Sequence, residues 1–557
     1  MFLRRSAANL LRRIGFPSPT ASSAGRTTRY VFPVSLSRET KFSYEYGSGG
    51  DTWRVNKRNP CLWIVICAHA GIILGINANP VLAKDMSAES SSENDTEGTD
   101  IIGLRKVEDG SVISNIHTSK WRIFTDNGRD FFLQGKVEEA EKFFLSALQE
   151  AKEGFGERDP HVASACNNLA ELYRVKKEFD KAEPLYLEAI NILEESFGPE
   201  DIRVGAALRN LGQFYLMQRK LEEAHVCYER ALKIQVRVLG HGHVDVSDTM
   251  YHLGMVLYMQ GKAKDAEALI QDSIRILEEG GLGESSICVK RLRYLIQIYL
   301  KSNHPAEAEN VQRKMLHIME LSKGWNSLDT IIAAEGLALT LQSTGNLKEA
   351  QKLLERCLDA RKTLLPEDHI QIGANMLHIS RVRMLNSIQL RKVDISRANA
   401  ELENAKDLLH NSIRIARRVL NNLTKQKGNL KSYSAPGETS MEGHAALVIL
   451  LQSLDALGLL EINKQELLEL QALLPVAGAE SALFQCISAY KEFETKRSIS
   501  DSPAVKAEYL SCLKHLSSLM IDRNTDRTQS FEGATLKELE DEIKRLESEL
   551  HHRKSKN

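Results

Sequence analysis

The sequence predicts an all-α fold, a solenoid of stacked helix-turn-helix units. Three observations carry that expectation. Aromatic residues make up only 6% of the 557 residues and proline occurs 13 times, the composition of packed helices rather than sheets. The stretch from Ala163 to Val204 reads as two amphipathic helices that cannot bury their faces alone. Small residues then recur at a constant spacing of 42 positions. A net charge of −1 supplies no global steering toward nucleic acid or membrane. The length exceeds what one compact core ordinarily organises.

In the Ala163–Val204 pair the turn falls near Lys177. Ala170 and Tyr173 face inward on the first helix, and Ala182 and Ala189 on the second. Small residues let two helices approach, and the ring fills the space beside them. Displaced by 42, the Ala182 position becomes Ala140, Ala182, Ala224, Ala266, Ala308 and Ala350. The Ala170 position becomes Gly128, Ala170, Gly212, Gly254, Ile296 and Ala338, and the turn position Gly135, Lys177, Arg219, Gly261, Asn303 and Gly345. A seventh unit begins near Gly373 with Ser380 in the Ala170 position, but its second helix is delayed to Ala405 and Ser412. Extra residues around Arg391 to Ala400 predict a longer helix or an extended hairpin there.

These units resemble the tetratricopeptide repeat, whose usual length is about 34 residues. The eight additional residues, together with Asn167-Asn168-Leu169-Ala170, Ala182-Glu183-Pro184-Leu185-Tyr186 and the loops at Phe155-Gly156, Phe197-Gly198 and Leu239-Gly240, resemble the long repeats of the kinesin light chain family. The resemblance implies a right-handed superhelical solenoid over residues 121–420, about seven repeats, that binds a protein or peptide in its groove. The heptad region with which that family docks its motor heavy chain has no counterpart in the residues that precede the array here.

Residues 1–40 predict a transit peptide. No acid occurs before Glu39, while Arg4, Arg5, Arg12, Arg13, Arg26, Arg29 and Arg38 flank an apolar helical face. The arginine pairs point to a mitochondrion, possible sorting of the chain to its inner membrane included, and the run from Ser18 to Ser23 keeps a chloroplast open. Residues 61–78 form an apolar segment at the lower limit for a transmembrane helix. It offers a membrane anchor, or a cleaved signal ending at Val81-Leu82-Ala83. Residues 84–115 read as an acidic linker. Beyond the array, 421–443 predict a second linker, 444–522 a helical cap or degenerate repeats, and 534–553 a short coiled coil. The seam of Leu536, Leu539, Ile543, Leu546 and Leu550 offers weak self-association.

No phosphate-binding loop is present: Gly47–Gly50 and Gly280–Gly283 follow no strand. His241, His243 and His252 are the best metal candidates, but the first two sit in an inter-repeat loop and the third in a helix-packing series, so no metal or other cofactor is expected. The eight cysteines show no CxxC spacing and read mostly as core thiols rather than a disulfide framework. No nucleophile, base and acid share a local motif, and basic residues are interleaved with acids, so neither catalysis nor nucleic acid is expected. The candidate protein-binding groove is lined by Asn167, Asn168 and Glu171, then Arg209, Asn210 and Gln213, then Tyr251, His252 and Met255, then Arg291, Arg293 and Gln297. Amides can hold the backbone of an extended peptide, and arginines can pair with its carboxylates. The reading is a non-enzymatic, organelle-targeted scaffold or adaptor. A cytosolic cargo adaptor of the kinesin light chain type, and an enzyme with its site in the C-terminal helices, are the alternatives.

Overall fold

The computed structural model describes residues 116–426, 436–468, 477–494, 501–524 and 536–554. The expected transit peptide, the apolar segment 61–78 and the acidic linker all lie outside these residues. The described residues form helices throughout, paired as successive hairpins. The first four are α1 (Ile116–Leu133) with α2 (Val137–Phe155), α3 (Pro160–Lys176) with α4 (Phe179–Phe197), α5 (Ile202–Met217) with α6 (Leu221–Leu239), and α7 (Val244–Met259) with α8 (Ala263–Glu279). Three more follow: α9 (Ser286–Lys301) with α10 (Pro305–Lys323), α11 (Leu328–Thr344) with α12 (Leu347–Leu364), and α13 (Ile370–Leu390) with α14 (Ile395–Gln426). Each helix packs on the one before and the one after it.

The recurring residues explain how each hairpin closes. At the turn the chain enters the left-handed region at Gly135, Lys177, Arg219, Gly261, Asn303 and Gly345. The next amide then reaches back to the last turn of the first helix, as Glu178 N donates to the Tyr173 carbonyl at 2.9 Å and Lys262 N to Leu257 at 2.9 Å. This is the C-capping bond of a Schellman turn, and it satisfies carbonyls that the helix leaves open. First helices are started by side chains: Asp159, Asp201, His243, Ser285 and His369 each accept a backbone N–H of the first turn. Ala140, Ala182, Ala224, Ala266, Ala308 and Ala350 are all 0% exposed. A Cβ at Gly128 would lie 2.6 Å from the Phe144 ring, and one at Gly254 2.8 Å from Ile270. At these two crossings only hydrogen fits without displacing the facing side chain.

The extra residues of the seventh unit are helical. α13 runs for 21 residues and α14 for 32, and Ala405 and Ser412 are fully buried as their register requires. The expected linker at 421–443 is corrected at both edges: residues 421–426 continue α14, and 436–443 open the next helix. That helix, α15 (Pro436–Leu468), packs on α13 and α14. Its run Glu442–Leu467 contains an 18-residue window of mean hydropathy 1.9, enough to cross a bilayer by length and composition, but 72% of that window is buried in the fold. It is a core helix, with Leu450, Leu451, Leu454 and Leu460 inside.

The remaining helices are α16 (Ala477–Glu494), α17 (Pro503–Asn524) and α18 (Leu536–Lys554). They extend the hairpin series. A Cβ at Gly458 of α15 would meet Leu483 of α16 at 2.9 Å and the Ala479 carbonyl at 3.5 Å, the same close crossing that Gly254 makes with Ile270 and the Ala266 carbonyl. α17 packs on both α15 and α16, and α18 on α17. The α15–α16 pair thus repeats the crossing of the array, and α17 and α18 pack on after it. Two expectations change here. Leu539 and Leu546 of the coiled-coil seam are buried within the chain's own C-terminal core, so the seam pairs with α17 and is covered. Cys486 and Cys512 form a disulfide between α16 and α17 with Cα atoms 6.4 Å apart, whereas Cys166, Cys227, Cys288 and Cys357 are buried free thiols.

Candidate binding groove

The first helices of successive hairpins bring one set of helix positions to a common face. Asn210 Nδ2 donates to Asn167 Oδ1 at 3.0 Å, joining α5 to α3 across one repeat. Beneath this pair, Asn168 and Asn210 are 4% and 8% exposed. Glu171 is deeper still: it accepts from Arg174 Nε at 2.9 Å and from the Tyr186 hydroxyl. Burial pushes the Tyr186 phenol well above its ordinary range, with the Glu171 charge acting in the same direction. Glu171 therefore serves the interior of its own hairpin instead of the open face on which it was expected. Gln213 remains partly exposed beside Asn210.

Hairpins four and five place an aromatic group on the same face. Tyr251 meets His252 edge-on at 5.3 Å and Tyr294 edge-on at 5.9 Å, and Tyr258 meets Tyr294 at 5.7 Å. Met255, Arg293 and Gln297 are partly exposed around them. Arg291 does not join this surface. It is 1% exposed, donates to the Ser273 carbonyl at 3.1 Å and hydroxyl at 2.7 Å, and pairs with Ser247 and Asp248. Burial draws its guanidinium below the ordinary value, against the pull of Asp248. An arginine expected to pair with a ligand is thus engaged in fastening α9 to α7. Arg209, 3.6 Å from the other Asp248 oxygen, is less enclosed than Arg291, with 13% of its side chain exposed. Sequence reasoning missed Asp248, Tyr258 and Tyr294. Tyr294 was within reach, because it stands 42 positions after His252.

A second polar cluster lies beyond the residues expected to line the groove. Arg361 of α12 holds Glu335 of α11 by two bonds of 2.7 Å, and Asn375 of α13 donates to the same carboxylate at 3.2 Å. Burial alone would raise the Glu335 carboxyl, but Arg361 outweighs it and holds the group at about 2. Burial pulls the neighbouring His378 imidazole down to about 4, so it is neutral at physiological pH.

The metal candidates are otherwise employed. His243 caps α7, accepting from Asp245 N at 3.1 Å, and His252 Nδ1 lies 2.9 Å from the Asp248 carbonyl. His117, Glu150 and Glu153 are close enough to share an ion, but the Lys120 ammonium already sits 3.1 Å from Glu150. In the C-terminal helices, His515 Nδ1 lies 2.6 Å from Asp455 Oδ1 and the Ser511 hydroxyl donates to Asp455 Oδ2 at 3.0 Å. Serine and imidazole share one carboxylate, which is not the relay of a nucleophile through a base to an acid.

Comparison with known proteins assigns the array. The tetratricopeptide-repeat family matches residues 122–195, 161–235 and 203–279 with one of its forms and residues 330–371 with another. The hairpins within residues 122–279 and 330–371 match the tetratricopeptide repeat. Among solved structures, the nearly identical TPR-like repeats ascribed to a kinesin light chain of Podosopora anserina are 19% identical, over 37% of this chain and 97% of that one, with a TM-score of 0.33. BtubC from P. vanneervenii is 16% identical over 45% of this chain and 93% of its own, with a TM-score of 0.35. Aspartyl phosphate phosphatase F from Bacillus subtilis is 16% identical over 52% and 71%, with a TM-score of 0.35. No curated protein matches the sequence. The tetratricopeptide units of this chain keep a 42-residue period through six hairpins, the feature by which they resemble kinesin light chains.

Proposed function

We propose that this tetratricopeptide-repeat chain is a non-enzymatic scaffold that binds a protein or an extended peptide along the face of its first helices, and that it works inside an organelle. The observation that carries the first half is the Asn167–Asn210 bond with Arg209 beside it. It sets amides at the one-repeat spacing of the face, next to a cation and an aromatic group. Amides of this kind bind backbone groups of any sequence, while Arg209 and the tyrosines add side-chain preference. Arg209→Glu combined with Asn210→Ala is expected to abolish capture of partners in a pull-down with the full chain, without loss of helicity. Unchanged capture would remove the groove from consideration.

The organelle half rests on residues 1–40 and on the apolar segment 61–78. The targeting we favour is mitochondrial, with the apolar segment either retained as an inner-membrane anchor or cleaved. Residues 1–60 fused to a fluorescent reporter are expected to deliver it to mitochondria. A plastid signal would redirect the proposal, and a diffuse cytosolic signal would favour a cargo adaptor of the kinesin light chain type.

A further inference from the structure

Between hairpins five and six the packed floor of the groove is interrupted. One position of the second helix wedges against the first helix of its own hairpin at Phe144, Tyr228 and Ile270, and reaches the next hairpin from Tyr228 to His252 and from Gln312 to Gly336. The series runs Phe144, Tyr186, Tyr228, Ile270, Gln312 and Leu354. The position it reaches runs Asn168, Asn210, His252, Tyr294, Gly336 and His378. At hairpins three and four this junction is filled by two rings: Tyr228 stacks on His252 with centroids 5.7 Å apart and planes 17° apart. At hairpins five and six the equivalent residues are Gln312 and Gly336, so both rings are missing.

Gly336 differs from the glycines that packing demands. A Cβ there would meet only the Gln312 Nε2 at 3.7 Å, ordinary contact, and its backbone is plain α-helix. Neither conformation nor close approach calls for glycine, and inside a helix it is disfavoured. Its effect is to leave room over the Gln312 amide. Gln312 is 4% exposed, and its Oε1 has no hydrogen-bond partner. A buried amide oxygen without a partner is costly. Alongside, Glu335 is neutralised by Arg361, and His378 carries no charge at physiological pH. The space above Gly336 is thus bordered by the Gln312 amide, with the neighbouring Glu335 charge balanced by Arg361.

We propose that the notch at Gly336 is a specificity pocket for a carboxamide side chain, asparagine or glutamine, of the peptide held in the groove. The ligand carboxamide oxygen accepts from Gln312 Nε2, and its NH2 group donates to Gln312 Oε1 once that amide turns to face it. The terminal torsion of glutamine is soft enough for the turn. This rests on the groove reading above and deepens it.

The test is selection of random dodecapeptides displayed on phage by the full chain. Wild type is expected to enrich peptides with Asn or Gln fixed at one position. Gly336→Leu, which fills the notch, should weaken the selected peptide about tenfold yet bind its Asn/Gln→Ala counterpart as wild type does, the signature of one lost polar contact. Gly336→Ala serves as the folding control, with an expected rise in melting temperature. Groove-dependent peptides without a fixed carboxamide, or equal loss for both peptides in Gly336→Leu, would overturn the pocket and leave the groove intact. Enrichment insensitive to Arg209→Glu with Asn210→Ala, or no enrichment at all, would overturn the groove reading and the pocket with it.

Discussion

Arg361 and Glu335 are the charges on which the sixth and seventh hairpins depend most. Arg361 is 3% exposed and its partner is held by three hydrogen bonds. Arg361→Met removes the cation and leaves a carboxylate in the interior, so a loss of about 3–5 kcal/mol is expected in urea unfolding. His378 gives the same region a pH dependence. Its folded value of about 4 lies below its ordinary 6.5, so between those values the unfolded chain binds a proton that the folded chain does not. Stability is therefore expected to fall as pH drops from 6.5 toward 4, and Glu335 extends the loss as pH passes below its ordinary 4.5 toward 2. His378→Gln should remove the upper part of that slope in a series of thermal melts. Neither group was visible in the sequence as a pair. Glu335 and Arg361 belong to different helices, and only the packing of α11 on α12 brings their heads together. Arg291 shows the converse: its residue type suggested a ligand contact, but its place in the helix turns it inward to Ser247, Ser273 and Asp248.

The hairpin was legible because its tightest point tolerates so few residue types. Six alanines at 0% exposure and the glycines opposite Phe144, Tyr228 and Ile270 are a steric requirement repeated at each crossing, and a requirement of that kind leaves a period in the sequence. Where the connection lengthened, the period broke although the crossing survived. Gly458 and Ala479 stand 21 positions apart, against 12 for Gly254 and Ala266, so the sequence left hairpin eight open between a cap and a degenerate repeat. Glycine can accordingly mean opposite things at two positions of the repeat. Gly254→Leu is expected to cost about 1–3 kcal/mol, because the side chain collides with Ile270 and with the fixed Ala266 carbonyl. Gly336→Ala is expected to gain about 0.5–1 kcal/mol, because the space is free and helix propensity improves. Calorimetric melting of the two variants should give shifts of opposite sign.

Across the described residues two main apolar cores meet on the α13–α14 hairpin, where Ile415 of α14 belongs to the first and Leu409 to the second. Ile372, Ile379 and Val382 of α13 belong to the core of the regular array, and Ile370, Leu377 and Met384 to that of the C-terminal helices. The overall plan followed from the sequence up to this hairpin and blurred after it. On its far side α15 is apolar on most faces, and such a helix loses the one-sided pattern that marks an amphipathic repeat. The groove was legible in its polar half, where Asn and Arg stand out. In its aromatic half Tyr251 and His252 were legible but Tyr258, Tyr294 and the notch at Gly336 were not, since tyrosine often reads as core and an absent side chain leaves no mark in a residue pattern.

Because each hairpin touches its neighbours along the chain and its crossing recurs at a fixed interval, the binding face is countable. Positions one period apart are interchangeable as splice points: Ile202 joined to Asp245, for instance, would remove one whole hairpin while the chain continues from the same point of the repeat. The length of partner that such a face can hold is then set in whole steps of one hairpin, much as the span of a ruler is set by its graduations. Substituting a residue edits what one graduation recognises, and adding or removing a period edits how many there are.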